Sequence, residues 1–188
     1  LIIRLSSSVP GRLAAVLRFT SQLRHEVAMT AEGDLLLSGR APVHAEPSYR
    51  GNIANPIVYG EGPNPNGMRF AARARVLHTD GKSAAGTGRV SVDGATVAIV
   101  AVAIDTSFAG FDKEPGGGPD PVRATRDRLD GLAGRTYSSL AHAHTQDAGA
   151  LISRVTLDLG RSPQDAKPTD IRLREYAAGT PDPGLEAL

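Results

Sequence analysis

From residue 1 to about 110, short apolar runs alternate with turn residues at the spacing of an all-β domain. The pattern predicts strands at Leu1–Ser6, Leu13–Thr20, His25–Met29, Asp34–Ser38, Gly67–His78, Gly88–Val92 and Thr96–Ile104. Turn pairs punctuate them at Pro10-Gly11, Gly33-Asp34, Asp80-Gly81 and Asp93-Gly94. Asp93-Gly94 lies between two β-branched runs and reads as the strongest hairpin signal. Within Met68–His78, Met68, Phe70, Ala72, Ala74 and Val76 fall on one face and Arg69, Arg73 and Arg75 on the other. That alternation predicts one buried face and one that is wet or turned to a partner. The run Val97–Ile104 is apolar on both faces, so both need a cover. The opposite sheet supplies one cover, and a neighbouring domain is expected to supply the other.

After residue 120 the apolar period lengthens to that of a helix. Asp120 as cap and Pro121 in the first turn open a helix to about Ala133, with Val122, Leu129 and Leu132 inward. A second helix starts at Thr136, and its apolar face runs through Tyr137, Leu140, Ala141, His144, Ala148, Leu151 and Ile152. Val155–Leu159 reads as a short β-like exit and Arg161–Lys167 as a polar linker. Thr169 is expected to cap a third helix carrying Ile171, Leu173 and Tyr176 and closed by Gly179 and Pro181. Asp182-Pro183 opens another helix, which stops after one turn at Leu188. The chain begins on an apolar run, Leu1-Ile2-Ile3, with no initiator methionine, so both ends read as internal to a longer protein.

Residues 39–67 fit neither pattern. This segment holds Pro42, Pro47, Gly51, Pro56, Gly60, Gly62, Pro63 and Pro65, and a loop of that length is functional or an interface. Tyr49, Arg50, Asn52, Tyr59 and Glu61 suit contact with sugar, and Tyr49, Asn52 and Tyr59 are the substrate-binding candidates. The other reading is a glycine-rich insertion packed against a partner domain.

Composition narrows the chemistry. Twenty-one basic against 20 acidic residues give a net charge of +1, which offers no support for a nucleic-acid or membrane-surface partner. The absence of cysteine excludes disulfides and thiolate metal sites. No phosphate loop, dinucleotide fingerprint or nucleophile elbow is present. His44 and Glu46 would share one face of an extended segment, but a metal needs three or four ligands, so no metal and no other cofactor is expected. His142 and His144 lie about 200° apart on a helix, which makes His144 a core or interface residue and His142 a surface one. Glycosidic hydrolysis needs two carboxyl groups across one bond, about 5 Å apart for retention or about 6.5–9.5 Å for inversion. Asp105, Asp112 and Glu114 cluster near Phe108 and Phe111, yet nothing pairs them across a cleft, and they read as solvated loop acids.

Several segments, taken in order, carry a resemblance. They are Gly39-Arg40-Ala41-Pro42-Val43-His44-Ala45-Glu46-Pro47-Ser48-Tyr49, then Gly67-Met68-Arg69-Phe70-Ala71, then Thr106-Ser107-Phe108-Ala109-Gly110-Phe111-Asp112. Tyr137-Ser138-Ser139-Leu140 with His144, then Pro168-Thr169-Asp170-Ile171-Arg172-Leu173 and Asp182-Pro183-Gly184-Leu185, complete the set. In this order and spacing the chain resembles the amino-terminal region of family 95 glycoside hydrolases, the α-L-fucosidase family. The resemblance implies a mainly β fold with C-terminal helices. Residues 1–118 would be part of a β-supersandwich of galactose-mutarotase type, 119–181 a helical linker, and 182–188 the start of an (α/α)6 catalytic barrel. It further implies inverting hydrolysis of terminal, typically α-1,2-linked, α-L-fucose on glycans, with the catalytic acids in the barrel and none in this chain. Packing on that barrel would then be the chain's intramolecular role, in an exported enzyme, extracellular or periplasmic. The competing reading is a free-standing carbohydrate-binding or structural β-sandwich. The absence of tryptophan and an aromatic content of only 4% argue against a sugar-stacking platform of that kind.

Overall fold

A computed structural model describes residues 1–61 and 66–187. Gly62, Pro63 and Pro65 of the long loop, and Leu188 of the last helical turn, lie outside the described residues. The chain divides into two compact units, Leu1–Leu140 and Ala141–Leu188.

Among its described residues the first unit holds ten strands: β1 Ile2–Ser6, β2 Leu13–Leu17, β3 Arg24–Met29, β4 Leu35–Arg40, β5 His44–Ala45, β6 Ile57–Val58, β7 Arg69–Thr79, β8 Lys82–Gly86, β9 Arg89–Ala95 and β10 Val97–Thr106. They form an antiparallel five-stranded sheet in the order β1-β10-β7-β4-β3, a three-stranded sheet β2-β9-β8, and the small β5-β6 ladder. Leu35, Ala74, Val90 and Val100 form the centre of the core, where Ile3, Leu17, Phe19, Val27 and Met29 join them from both sheets. A second cluster, Val92, Ala95 and Ala98 with Leu5 and Leu13, extends it. The fold is thus mainly β, a sandwich followed by helices, as the alternating pattern predicts.

Two expectations change. Asp93-Gly94 does not close a hairpin. β9 continues to Ala95 in the small sheet, and β10 leaves in the large one. The hairpin of this region joins β8 to β9, and β8 (Lys82–Gly86) is a strand the pattern misses, because it is short, small in side chain and mostly exposed. At this corner the chain leaves the large sheet between β7 and β8 and returns to it between β9 and β10. There the Asp80 carboxylate accepts the backbone N–H groups of Thr96 (2.8 Å) and Val97 (2.9 Å), which hold its pKa below the ordinary range. Gly81 is required at the corner, since a Cβ there would stand 2.5 Å from the Asp93 carbonyl oxygen.

The second correction concerns the outer face of the large sheet. Its cover comes from the chain itself, as helix α1 (Pro121–Asp130) lies across β7 and β10. Along β10, Ala98, Val100 and Val102 face the opposite sheet, while Ala101 and Ala103 face Leu129 and Leu132. Alanine on the helix side lets the helix backbone approach closely. Of the two alternatives for the arginine face of β7, Arg73 and Arg75 take the one turned to a partner. Arg73 is 3% exposed, and it donates to Asp34, which is 0% exposed and sits just before β4. Arg75 adds two bonds to Asp34 (2.7 and 2.8 Å) and one to Asp130 at the end of α1 (2.9 Å). Burial pushes the Asp34 carboxyl up, but the hydrogen bonds from Arg75 and Arg73 outweigh it and leave the pKa below the ordinary carboxylate value.

The second unit contains most of α2 (Tyr137–Ile152), then α3 (Thr169–Ala177) and the single turn α4 (Pro183–Glu186). No residue of α2 is buried, and His144 is exposed. Val155–Leu159 forms no strand, and these residues are exposed. Pro168, not Thr169, occupies the cap position of α3, and no side chain caps that helix. Asp182 does cap α4, accepting from Leu185 N–H at 3.0 Å, and it also receives two 2.7 Å bonds from Arg172. The hydrogen bond from Arg172 is the chief reason its pKa lies below the ordinary value.

Candidate functional site

The register of the large sheet brings three arginines abreast. Arg24 on β3 faces Arg40 on β4, and Arg40 faces Arg69 on β7. One step further in, Glu26 faces Ser38 and Ser38 faces Ala71 on the same side. This end of the sheet and the first turn of α1 enclose a cleft of about 480 Å³, walled on the helix side by Asp120, Pro121 and Val122.

Each arginine is fixed differently. The Arg24 guanidinium lies over the Tyr59 ring, 4.0 Å from its centre, and the Tyr59 hydroxyl accepts the Arg24 backbone N–H at 3.2 Å. Arg40 Nη1 donates to the Gly67 carbonyl at 2.9 Å. Arg69 Nη2 donates to the carbonyl of Gly118 (2.8 Å) and reaches that of Pro119 (3.4 Å), and Nη1 stands 3.9 Å from the Asp120 carboxylate. The Arg69 Nε is buried and has no acceptor among the described residues.

Loops hold this end of the sheet in place. The Ser107 hydroxyl accepts from Arg69 N–H (2.9 Å) and donates to the Pro115 carbonyl (2.5 Å). Gly118 passes so near the Ser107 carbonyl that no Cβ fits. The same holds for Gly67 against the Ala41 carbonyl.

The candidate residues of the long loop scatter. Tyr49, on a single 3-10 turn, is 86% exposed, and Asn52 is exposed beyond it. Tyr59 alone is drawn to the cleft, through Arg24. His44 and Glu46 do share a face, 3.0 Å apart, but Glu46 also accepts from Arg50 at 2.9 Å, so the pair closes into a surface ion cluster. Among the described residues no group of three or more potential ligands gathers that could hold a metal ion. Asp105 is bound to Arg128 at 2.7 Å and Asp112 pairs with Lys113, while Phe108 and Phe111 are exposed. These acids face cations rather than one another across a cleft.

Sequence reading did not find the arginine row. Only Arg69 falls within a predicted strand, while Arg24 and Arg40 lie just beyond the predicted His25–Met29 and Asp34–Ser38, and pairing register aligns the three.

Comparison with known proteins places the chain. Residues 1–110 match the family described as Glycosyl hydrolase family 65, N-terminal domain. The chain belongs to that family. Residues 136–188 match the family described as Glycosyl hydrolase family 95 catalytic domain, so this part of the chain is similar to that family. It is 28% identical to Alpha-L-fucosidase 2 of Arabidopsis thaliana over 202 aligned positions covering 100% of this chain. The chain spans 23% of that relative's length. No helix among the described residues is long and apolar enough to cross a membrane.

Proposed function

We propose that this chain is the non-catalytic amino-terminal portion of an inverting α-L-fucosidase that releases terminal α-1,2-linked fucose from glycans. In this reading residues 1–118 are part of the sandwich, 119–181 form the helical linker and 182–188 begin the (α/α)6 barrel. The observation that carries it is the order of the two family matches along one chain: an amino-terminal β-domain match first, a glycosidase catalytic-domain match after it. Similarity over the whole of this chain to part of a protein named as an α-L-fucosidase supports the sugar. The pairing of Asp105 and Asp112 with cations supports a bracing role, since an acid and a base for glycosidic cleavage need opposed carboxyl groups.

The test uses a protein that continues this chain into the complete barrel. With an α-1,2-fucosylated trisaccharide, it is expected to release fucose that appears first as the β-anomer by proton NMR, while the 188-residue chain alone releases none. Fucose release by the 188-residue chain, or the α-anomer as first product, overturns the reading.

The long loop gives a second expectation. In the complete enzyme Tyr49→Ala or Asn52→Ala is expected to lower turnover with the thermal midpoint unchanged, because exposed residues contribute little to stability. Tyr59→Ala should also loosen the β3 edge, since its ring and hydroxyl hold Arg24. Unchanged kinetics in Tyr49→Ala and Asn52→Ala removes these two from the substrate site.

A further inference from the structure

We infer that a second cleft, past the end of α1 on the outer face of the large sheet, is a binding site for a small organic carboxylate with an apolar ring. Pairing register sets Arg4 on β1, Ile99 on β10 and His78 on β7 in one row. The register shifts between Ile99 and Val100, and Leu77 and His78 both line the cleft. Bulges re-aim side chains in this way and are frequent beside active sites. Residues 134–138, which follow α1, form the rest of the wall. The cleft measures about 790 Å³, within the range of small-molecule sites, and its lining belongs wholly to the first unit.

Its charge is one-sided. Beneath α1, Arg73 and Arg75 are matched by Asp34 and Asp130. No acid lines this cleft, whereas Arg4, His78 and Arg135 do, and all three are exposed. The Arg4 guanidinium lies over the Tyr137 ring, 5.7 Å from its centre, and both residues line the cleft. A ring contact leaves the guanidinium its full charge. The side chains of His78, Arg135 and Ser138 make no hydrogen bond or ion pair among the described residues. Apolar lining comes from Ile99, itself 7% exposed, with Leu77, Val97 and the Tyr137 ring.

Two arginines select a carboxylate, which accepts paired N–H bonds, and the apolar lining selects an apolar body over a bare ion. The site is independent of the fucosidase reading.

The test follows backbone amide resonances of the 188-residue chain by NMR during titration with 2-naphthoate, its neutral counterpart 2-naphthamide, and acetate. Naphthoate is expected to give saturable shifts at His78, Ile99 and residues 134–138. Its affinity should exceed that of either control by about tenfold, the gain of one charged hydrogen-bonded pair. Arg4→Gln and Arg135→Gln should each weaken it about fivefold or more with the thermal midpoint kept, because both side chains are exposed. Should Arg4→Gln lower the midpoint through loss of its contact with Tyr137, Arg135→Gln keeps the test decisive, since its side chain is bound to nothing among the described residues. Equal binding of acetate would reveal a bare ion contact, and equal binding of naphthamide would show that the cations are idle. Either result, shifts confined to other parts of the chain, or unchanged affinity in Arg135→Gln, overturns the inference.

Discussion

Asp34→Ala is expected to destabilise the first unit by about 3–5 kcal/mol, the cost of removing one partner from a buried ion pair. Asp34 is fully buried and receives bonds from two arginines, one of which, Arg73, is itself 3% exposed. Without the carboxylate, Arg73 keeps a charge in an apolar setting with neither water nor a counter-ion. Against a total stability of about 5–15 kcal/mol this is a large fraction, and urea denaturation should show an early midpoint with an unchanged slope. The triple change Asp34→Leu, Arg73→Met, Arg75→Met should recover most of the loss, because apolar packing can replace a buried ion network. If the triple variant is no more stable than Asp34→Ala, the network is not the reason for the loss.

The same carboxylate sets an acid limit. Its folded pKa lies below its unfolded value of about 3.9. A depressed carboxyl contributes stability that is complete above the unfolded pKa and is lost as the pH falls through the folded one. Denaturation midpoints of the native chain should therefore decline below about pH 4. In Asp34→Asn that part of the decline should be missing.

Leu129→Ala carries the second large effect. Leu129 is 2% exposed and packs on Ala101 and Ala103 of β10, with Ile2, Leu77 and Leu132 beside it. Its truncation should lower stability by about 2–5 kcal/mol through lost burial and the cavity left behind. Alanine neighbours cannot swing to fill that space, which favours the upper part of the range. Loosening α1 also opens the cover over Asp34, whose network reaches Asp130 on that helix. The double variant with Asp34→Ala should consequently lose less than the two single losses added together. Strict additivity in a denaturation cycle would show that helix docking and ion network are independent. Amide exchange should quicken first in α1 and along the outer face of β10.

Much of this could be read in the chain. The period-two alternation in β7 marks its two faces, because side chains on a strand can point only two ways. The two-faced apolar run of β10 announces a central strand with both sides covered, and Asp120-Pro121 announces the start of α1. Asp182 announces the last cap. These are local statements, decided by residues within a turn or a pleat of one another. The ordered motifs also indicated the family, since their spacing along the chain is itself a sequence property.

Other features came from folding alone. Asp93-Gly94 has hairpin chemistry, but the chain turns a sheet corner there, because β9 finds β2 and β8 while β10 finds β1 and β7. The arginines of β7 read as a face either wet or turned to a partner, and only the packing of α1 and the position of Asp34 before β4 decide for the partner at Arg73 and Arg75. The row of Arg24, Arg40 and Arg69 depends on the register of three strands, and a slip of one residue would scatter it to opposite faces. Local pattern fixes which way a side chain points. Which other side chain it meets depends on contacts between residues distant in sequence, and those form only when the whole sheet is assembled.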